Sequence, residues 1–320
     1  MKRAFIIFFV ILLTVVSGFS QVSEDIEQFE EENGKNYIKP LAYAVGANLN
    51  SGLFQTAKVL KPFGFGVVLN SMLAFVPEKD KTFMAIRPDL KDPMSGTPLY
   101  SPDEIESATI FGNEGGQFNF SGDPLQFTNE EDIQLPNGLN MSVAPILVPQ
   151  LNLGVPFGNE IMIRYFPNLE LSPEIGALSF YGFAFKHSLN KSLLKLLPLN
   201  LAVQTAFHSL SIGDVLEIKT FSVNGEISKN VLNWTFFGGV GWENTTLHAH
   251  YVSAASMEIS GQPPFYSVNP VPTDIEFDIK GINGLRMSFG IGYHISVVDV
   301  NLSSSLGNYP TVNLGIGFSL

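Results

Sequence analysis

The stretch LRMSFGIGYHISV, residues 285–297, decides the fold. Its odd positions are Leu285, Met287, Phe289, Ile291, Tyr293, Ile295 and Val297. Its even positions are Arg286, Ser288, Gly290, Gly292, His294 and Ser296. A backbone whose successive side chains point to opposite faces puts every apolar group on one side and every polar or tiny one on the other. That is a strand with one apolar face. Val298, Val300 and Leu302 repeat the alternation against Asp299, Asn301 and Ser303. The turn residues Gly307, Asn308, Tyr309 and Pro310 then lead into TVNLGIGFSL, residues 311–320, with Val312, Leu314, Ile316, Phe318 and Leu320 on one face.

Upstream the same period recurs at Leu147–Val155, Ile161–Tyr165, Leu199–His208, Leu232–Trp242 and Leu247–Tyr251. Soluble β-sandwiches alternate too, so alternation alone does not choose between them and a membrane barrel. Three features point to the barrel. The segments are about 10–14 residues long, the length of a tilted strand crossing a bilayer. Trp234, Trp242, Tyr165, Tyr251 and Tyr293 lie where interfacial girdles would run. The final strand runs to the last residue, as in the terminal strand that barrel-insertion machinery reads. The spacing predicts an all-β, antiparallel transmembrane β-barrel of about twelve strands. They are 64–76, 82–87, 145–155, 160–169, 175–187, 198–211, 215–228, 231–242, 245–256, 285–297, 298–306 and 311–320. Ten or fourteen strands also fit the pattern.

The N-terminus supplies the route. Lys2 and Arg3 precede the apolar run Ala4–Val16, and Ser17–Gln21 offers small residues for cleavage. This is the layout of a cleaved secretory signal over residues 1–20, with a bacterial outer-membrane destination. Residues 21–62 read as an acidic helix followed by an N-terminal lumenal plug. Residues 63–320 read as the barrel, with an irregular insertion at 88–144 and a Pro-rich external loop at 257–283. That strand count leaves the insertion on the periplasmic side or in the lumen, an unusual place for a long excursion. Joints near 170–174, 212–214, 243–245 and 297–299 read as periplasmic turns.

Composition sets limits. The formal net charge is −12, and loss of Lys2 and Arg3 with the signal makes it two units more negative. That excludes nucleic acid, whose partners carry basic surfaces. With no cysteine there is no disulfide, thiolate metal site or cysteine nucleophile. Gly112–Gly116 lacks the Lys and the strand-to-helix setting of a phosphate loop. No nucleophile elbow is present. No enzyme activity, cofactor or metal is expected. His248 and His250 share a face, but sequence places no third ligand beside them.

The polar faces of the strands carry Gln150, Arg164, His208, His248, His250, Arg286 and His294, which are expected to line the lumen. Gly239, Gly241, Gly290, Gly292, Gly315 and Gly317 lie on those faces as well. They either admit a plug close to the wall or relieve curvature.

Tyr37–Pro40 with Gly46–Ala57, and Pro145–Pro167, together resemble an uncharacterised family of exported proteins from Bacteroidota-type bacteria. The resemblance spans most of the mature chain and implies an outer-membrane setting without a reaction. In layout the chain is similar to the long-chain fatty-acid outer-membrane transporters: N-terminal plug, Phe-rich barrel, no cysteine chemistry. The expected partners are outer-membrane lipid, the barrel-insertion machinery and a small hydrophobic molecule. Passive uptake of such a compound is the leading expectation, because Phe is abundant and 178–185 has apolar residues on both faces. A non-transporting scaffold for surface partners, and a soluble exported lipid-binding β protein, are the alternatives.

Overall fold

The computed structural model describes residues 22, 24–128, 131–172, 176–190 and 198–319. The expected signal peptide and the segment 191–197 lie outside the described residues.

Ten antiparallel strands close on themselves. In chain order they are β1 (Phe65–Phe75), β2 (Val143–Val155), β3 (Asn159–Ser172), β4 (Gly176–Ser188), β5 (Asn200–Ile212), β6 (Leu216–Val231), β7 (Trp234–Ser253), then β9 (Leu285–Ile295), β10 (Val298–Leu306) and β11 (Thr311–Ser319). The first and last strands pair from Gly66↔Ser319 to Ala74↔Thr311 and so close the ring, leaving no free edge there. An eleventh strand, β8 (Thr273–Lys280), pairs only with the second half of β7, whose first half pairs with β9.

The count corrects the expected twelve in two places. Residues 82–87 are not in the wall, because Thr82–Ile86 pairs with Glu104–Ala108 in a separate small sheet. Residues 231–242 and 245–256 are one strand, since the side-chain parity of β7 runs unbroken from Trp234 to Ser253. With those changes 76–142 leaves the wall at the end opposite the C-terminus, the same end as Val22–Phe29, which removes the topological difficulty. The turns at 156–158, 232–233 and 296–297 share the end of Ser319. Those at 213–215 and 307–310 are at the other end. The expected joint at 243–245 does not exist, and 212–214, with the strand ends Ser172 and Gly176 that flank the expected joint at 170–174, lies at the opposite end from 297–299, with which these joints were expected to share a side. Nor is 257–283 an irregular loop. Met257–Gln262 and Phe265–Pro270 form a hairpin, followed by β8. The 88–144 stretch carries short strands at Tyr100–Ser101, Gln117–Phe120, Phe127–Thr128 and Ile133–Gln134.

Register gives the wall a chemical layering. One row across β3 to β8 is Phe166, Phe180, Leu210, Ile218, Leu247 and Ile279, paired in succession, all apolar and turned inward. The next inward row is Gln150, Arg164, Gly182, His208, Thr220 and Thr245. Two rows further towards the C-terminus run Glu160, Lys186, Gln204, Asn224, Gly241 and Arg286. The outer face changes in the opposite sense. Ile161, Phe185, Thr205, Val223, Trp242 and Leu285 make a row towards the C-terminus that is apolar but for Thr205. Glu217, Lys219, His248 and His250 are outward at the other end. The barrel is therefore polar inside and apolar outside near the C-terminus, and the reverse at the far end. The far end is built like a water-soluble domain.

Its core is filled by helix α1 (Glu31–Leu49). Glu31 and Glu32 sit in the first turn, where the helix dipole favours anions. From Tyr37 to Leu49 every residue but Lys39 is buried. A helix apolar around its whole circumference belongs in a core. Tyr37 donates to Asp25 Oδ2 (2.8 Å) and to the carbonyl of Asn137 (3.0 Å). Burial first, then the Asp25 charge, pushes its pKa far above the usual phenol value. α1 runs across the expected division of residues 21–62 into an acidic helix and a plug segment. Among the described residues no helix is long and apolar enough to cross a membrane.

Candidate functional site

The functional candidate is the polar layer inside the wall, where residues 47–60 run past it. α1 ends with unsatisfied carbonyls and no basic residue in its last turn. Wall arginines supply the missing donors. Arg286 Nη1 donates to Ala47 O (3.1 Å) and pairs with Glu243 (3.1 Å). Arg164, with 0 % exposure, donates from Nη1 to Leu49 O (2.9 Å). Its Nη2 donates to Ser51 O (3.0 Å) and Gly52 O (2.8 Å), and its Nε donates to Gln150 Oε1 (3.0 Å). The same Gln150 oxygen accepts from Asn70 Nδ2 (3.0 Å). A planar guanidinium with donors in a fixed fork suits this several-carbonyl task, which a lysine would not perform.

Nearer the C-terminus, Lys186 Nζ donates to Thr56 O (3.0 Å) and lies 3.6 Å from Glu160 and 3.5 Å from Glu226. Glu160 Oε2 accepts from the amide of Leu60 (2.9 Å), and Ser228 Oγ from that of Ala57 (3.0 Å). The three hydrogen bonds at Thr56, Ala57 and Leu60 tie backbone of the N-terminal segment to inward side chains. The layer can bind peptide backbone, and does so with the chain's own. Among the described residues no group of three or more His, Asp or Glu is placed to hold a metal.

Of the expected lumenal residues, Gln150, Arg164, His208 and Arg286 are inward and buried. Arg164 and Gln150 are brought together. Arg286 reaches the same helix end from β9. His208 sits at the layer boundary, 3.1 Å from Thr220 Oγ1 and stacked on Phe180 at 6.0 Å. His248 and His250 are a correction. They are outward and exposed, with His248 Nδ1 2.9 Å from Asp278 Oδ1 and His250 Nε2 2.9 Å from Asp274 Oδ1. Their parity was read correctly, but the wall has changed polarity by that level, so the polar face is the outer one. Tyr251, expected in an interfacial girdle, is for the same reason buried inside. His294 lies at the mouth beside the C-terminus, exposed and 2.7 Å from Asp299. Sequence reasoning missed Lys186, Glu160, Glu226 and Glu243. Their signal was available: each continues the inward parity of its strand, and the four with the two arginines nearly balance in charge.

The wall glycines play a more local part than expected. A Cβ on Gly290 would meet Phe237, one on Gly241 would meet Asn224, and one on Gly315 would meet Asn301. Neighbouring wall side chains fill those spaces. Only Gly239 among the six meets the N-terminal segment, through Phe54. The tight approach is on the helix instead. A Cβ on Gly46 would fall 2.3–2.9 Å from the Thr245 side chain. Gly46→Leu is expected to push α1 off the wall at about 1–3 kcal/mol. A lowered melting temperature, with Gly292→Ala near wild type, checks it, because a Cβ at Gly292 has only ordinary contacts from 3.7 Å.

Solved structures similar in general form include three barrels. The transport unit of the autotransporter AIDA-I from Escherichia coli is 10 % identical, over 91 % of this chain and 98 % of that one, at a TM-score of 0.30. The loop L8 deletion mutant of OmpT, an outer membrane protein of Vibrio cholerae, is 11 % identical over 80 % and 98 %, at 0.25. The toluene transporter TodX of Pseudomonas putida is 11 % identical over 84 % and 93 %, at 0.24. At such scores the likeness is one of general form and extends to no site. A comparison with curated protein sequences finds no match. The family model DUF6588 matches residues 1–320, so the chain belongs to this family, whose function is unknown.

Proposed function

We propose that this protein is an outer-membrane β-barrel that is closed by its own residues 31–61 and works as a mount for a surface-exposed binding domain. The observation that carries the closed reading is Arg164, wholly buried and bonded to the carbonyls of Leu49, Ser51 and Gly52. Lys186, Glu226, Arg286 and Glu243 are likewise buried, so the charged layer has no solvent-lined bore beside it. The N-terminal segment is also no loose stopper. Tyr37, Ile38, Leu41, Tyr43, Val45 and Leu49 are buried with it, at ~1.5–3 kcal/mol for each large apolar side chain.

Membrane placement rests on the outer belt. Outward residues from Trp234 to Trp242 cover about 26 Å of strand at ~3.3 Å per residue. Strand tilt reduces that to about 20 Å, close to the ~25 Å apolar band of such barrels. Trp234 stacks near Tyr293 (4.5 Å) at one margin, and Trp242 near Phe221 (6.4 Å) at the other. On this reading the C-terminus faces the periplasm, while Val22–Phe29 lie in the outer end. The soluble-type end, with 76–142 and the 254–272 hairpin, faces the medium.

Passive uptake of a hydrophobic compound drew on the Phe content. Phe183, Phe185, Phe207, Phe221, Phe236, Phe289 and Phe318 are on the outer belt, so they line no internal route. Planar-bilayer recording of the purified full chain separates the readings. A silent, heat-modifiable outer-membrane protein supports the closed mount. Steady conductance, or solute flux into proteoliposomes, overturns it in favour of uptake.

The closing seam gives a further expected outcome. Phe318 on β11 pairs with Val67 on one side and Val298 on the other. Phe318→Asp should leave export intact and the protein unassembled in the periplasm, as read by fractionation. Normal outer-membrane yield would remove the terminal strand from the assembly signal.

A further inference from the structure

The soluble-type end contains a cavity of about 490 Å³, formed where three distant parts of the chain meet: residues 28–33, the 86–135 insertion and the 254–270 hairpin. That size is in the range of small-molecule sites. Its apolar surface comes from Ile86, Pro88, Ile133, Ala255, Met257 and Pro270, over a packed floor that includes Phe29, Tyr100 and Phe118. Its charged lining is all of one sign: Glu30, Glu131 and Asp132, with no Lys, Arg or His. Asp132 is held in place, accepting from the amide of Phe120 (2.8 Å) and from Gln117 Nε2 (2.8 Å). The carboxylates of Glu30 and Glu131 make no hydrogen bond or ion pair among the described residues. Desolvation already lifts the Glu30 carboxyl above its usual range.

We propose that this cavity binds a small organic cation with an apolar or aromatic body. A neutral apolar ligand would strip water from unpaired carboxylates and return nothing for it. An anion would be repelled. A bare metal ion would gain little from walls of Ile, Pro, Ala and Met. A cation with an apolar body uses both parts, by charge attraction to the carboxylates and by apolar contact with those walls. The proposal rests on the surface-domain reading for its exposure to the medium.

The test uses the full chain in zwitterionic-lipid nanodiscs, with benzyltrimethylammonium as the probe and neopentylbenzene as its uncharged isostere. Titration calorimetry, with empty nanodiscs subtracted, should give saturable binding of the cation at least about tenfold tighter than that of the isostere. Glu30→Gln with Glu131→Gln should erase the preference, and Ala255→Phe, which fills the space, should abolish binding of both. Heat-modifiable mobility confirms that each variant is folded. No saturable binding, equal binding of the isostere, or binding unchanged in the double Gln variant overturns the proposal. Bilayer conductance would instead strike the closed-mount reading while leaving a positive titration standing, so the two failures are distinguishable.

Discussion

Leu314→Arg is expected to stop barrel assembly, while Val252→Lys is expected to be tolerated, although both positions point outward. Leu314 lies in the middle of β11, 43 % exposed, between the outward neighbours Ser71 and Leu302. A charge on the lipid face at mid-bilayer costs about 2–4 kcal/mol. That is a large part of the 5–15 kcal/mol by which folded proteins are typically stable. Val252 is 54 % exposed, yet it follows His250 on β7 and pairs with Asp274 on β8, beyond the level where the wall changes polarity. There the outer face meets water, and a lysine beside Asp274 costs nothing appreciable. Heat-modifiable mobility and outer-membrane yield of the two variants read the boundary directly. Equal tolerance would indicate that no face meets lipid. Equal failure would indicate that the apolar belt extends past residue 252.

That pair of variants also marks where the sequence was legible and where it was not. Period-two alternation exposes strand and parity because the geometry of a strand permits nothing else, and from 285 to 319 the strands fall where the residues place them. Parity does not say which face is the interior. In LHAHYVS, residues 247–253, the apolar set is inward for the reason a soluble core is apolar. In LRMSFGI, residues 285–291, the apolar set is outward because of the belt. The two stretches have the same local pattern and opposite meaning. Only their height in the barrel separates them, and height is fixed by register to other strands. The break that 243–245 suggested has the same origin. Glu243 and Thr245 look like a turn between two apolar strands, but they are inward residues of one strand, Glu243 against Arg286 and Thr245 against Gly46. The site was half legible. An Arg on the polar face of a strand, as at 164 and 286, stands out. That both would meet the end of one helix depended on contacts between residues more than a hundred positions apart.

Arg164→Leu tests that convergence, and its expected effect is the largest inside the barrel. Leucine keeps the apolar stem but removes every donor. The carbonyls of Leu49, Ser51 and Gly52 and the Oε1 of Gln150 then lose a partner at the centre of a sealed layer. A buried polar group left unmade costs about 1–3 kcal/mol. The sum is reduced only where water enters, and water entry is itself the functional change. The helix cannot easily move to find other donors, since Gly46 is pressed against Thr245 and Tyr37 is tied to Asp25 and Asn137. Strain therefore falls on residues 50–58, which are fixed to the wall below by Lys186, Glu160 and Ser228. The variant should melt at lower temperature, admit protease between 50 and 58, and show intermittent currents in planar bilayers where the wild type is silent. Arg164→Lys should be intermediate, because an ammonium keeps the charge and loses the fork. If the Leu variant matches wild type in melting, protease resistance and silence, Arg164 does not hold the closure, and the seal must lie in the α1 core alone.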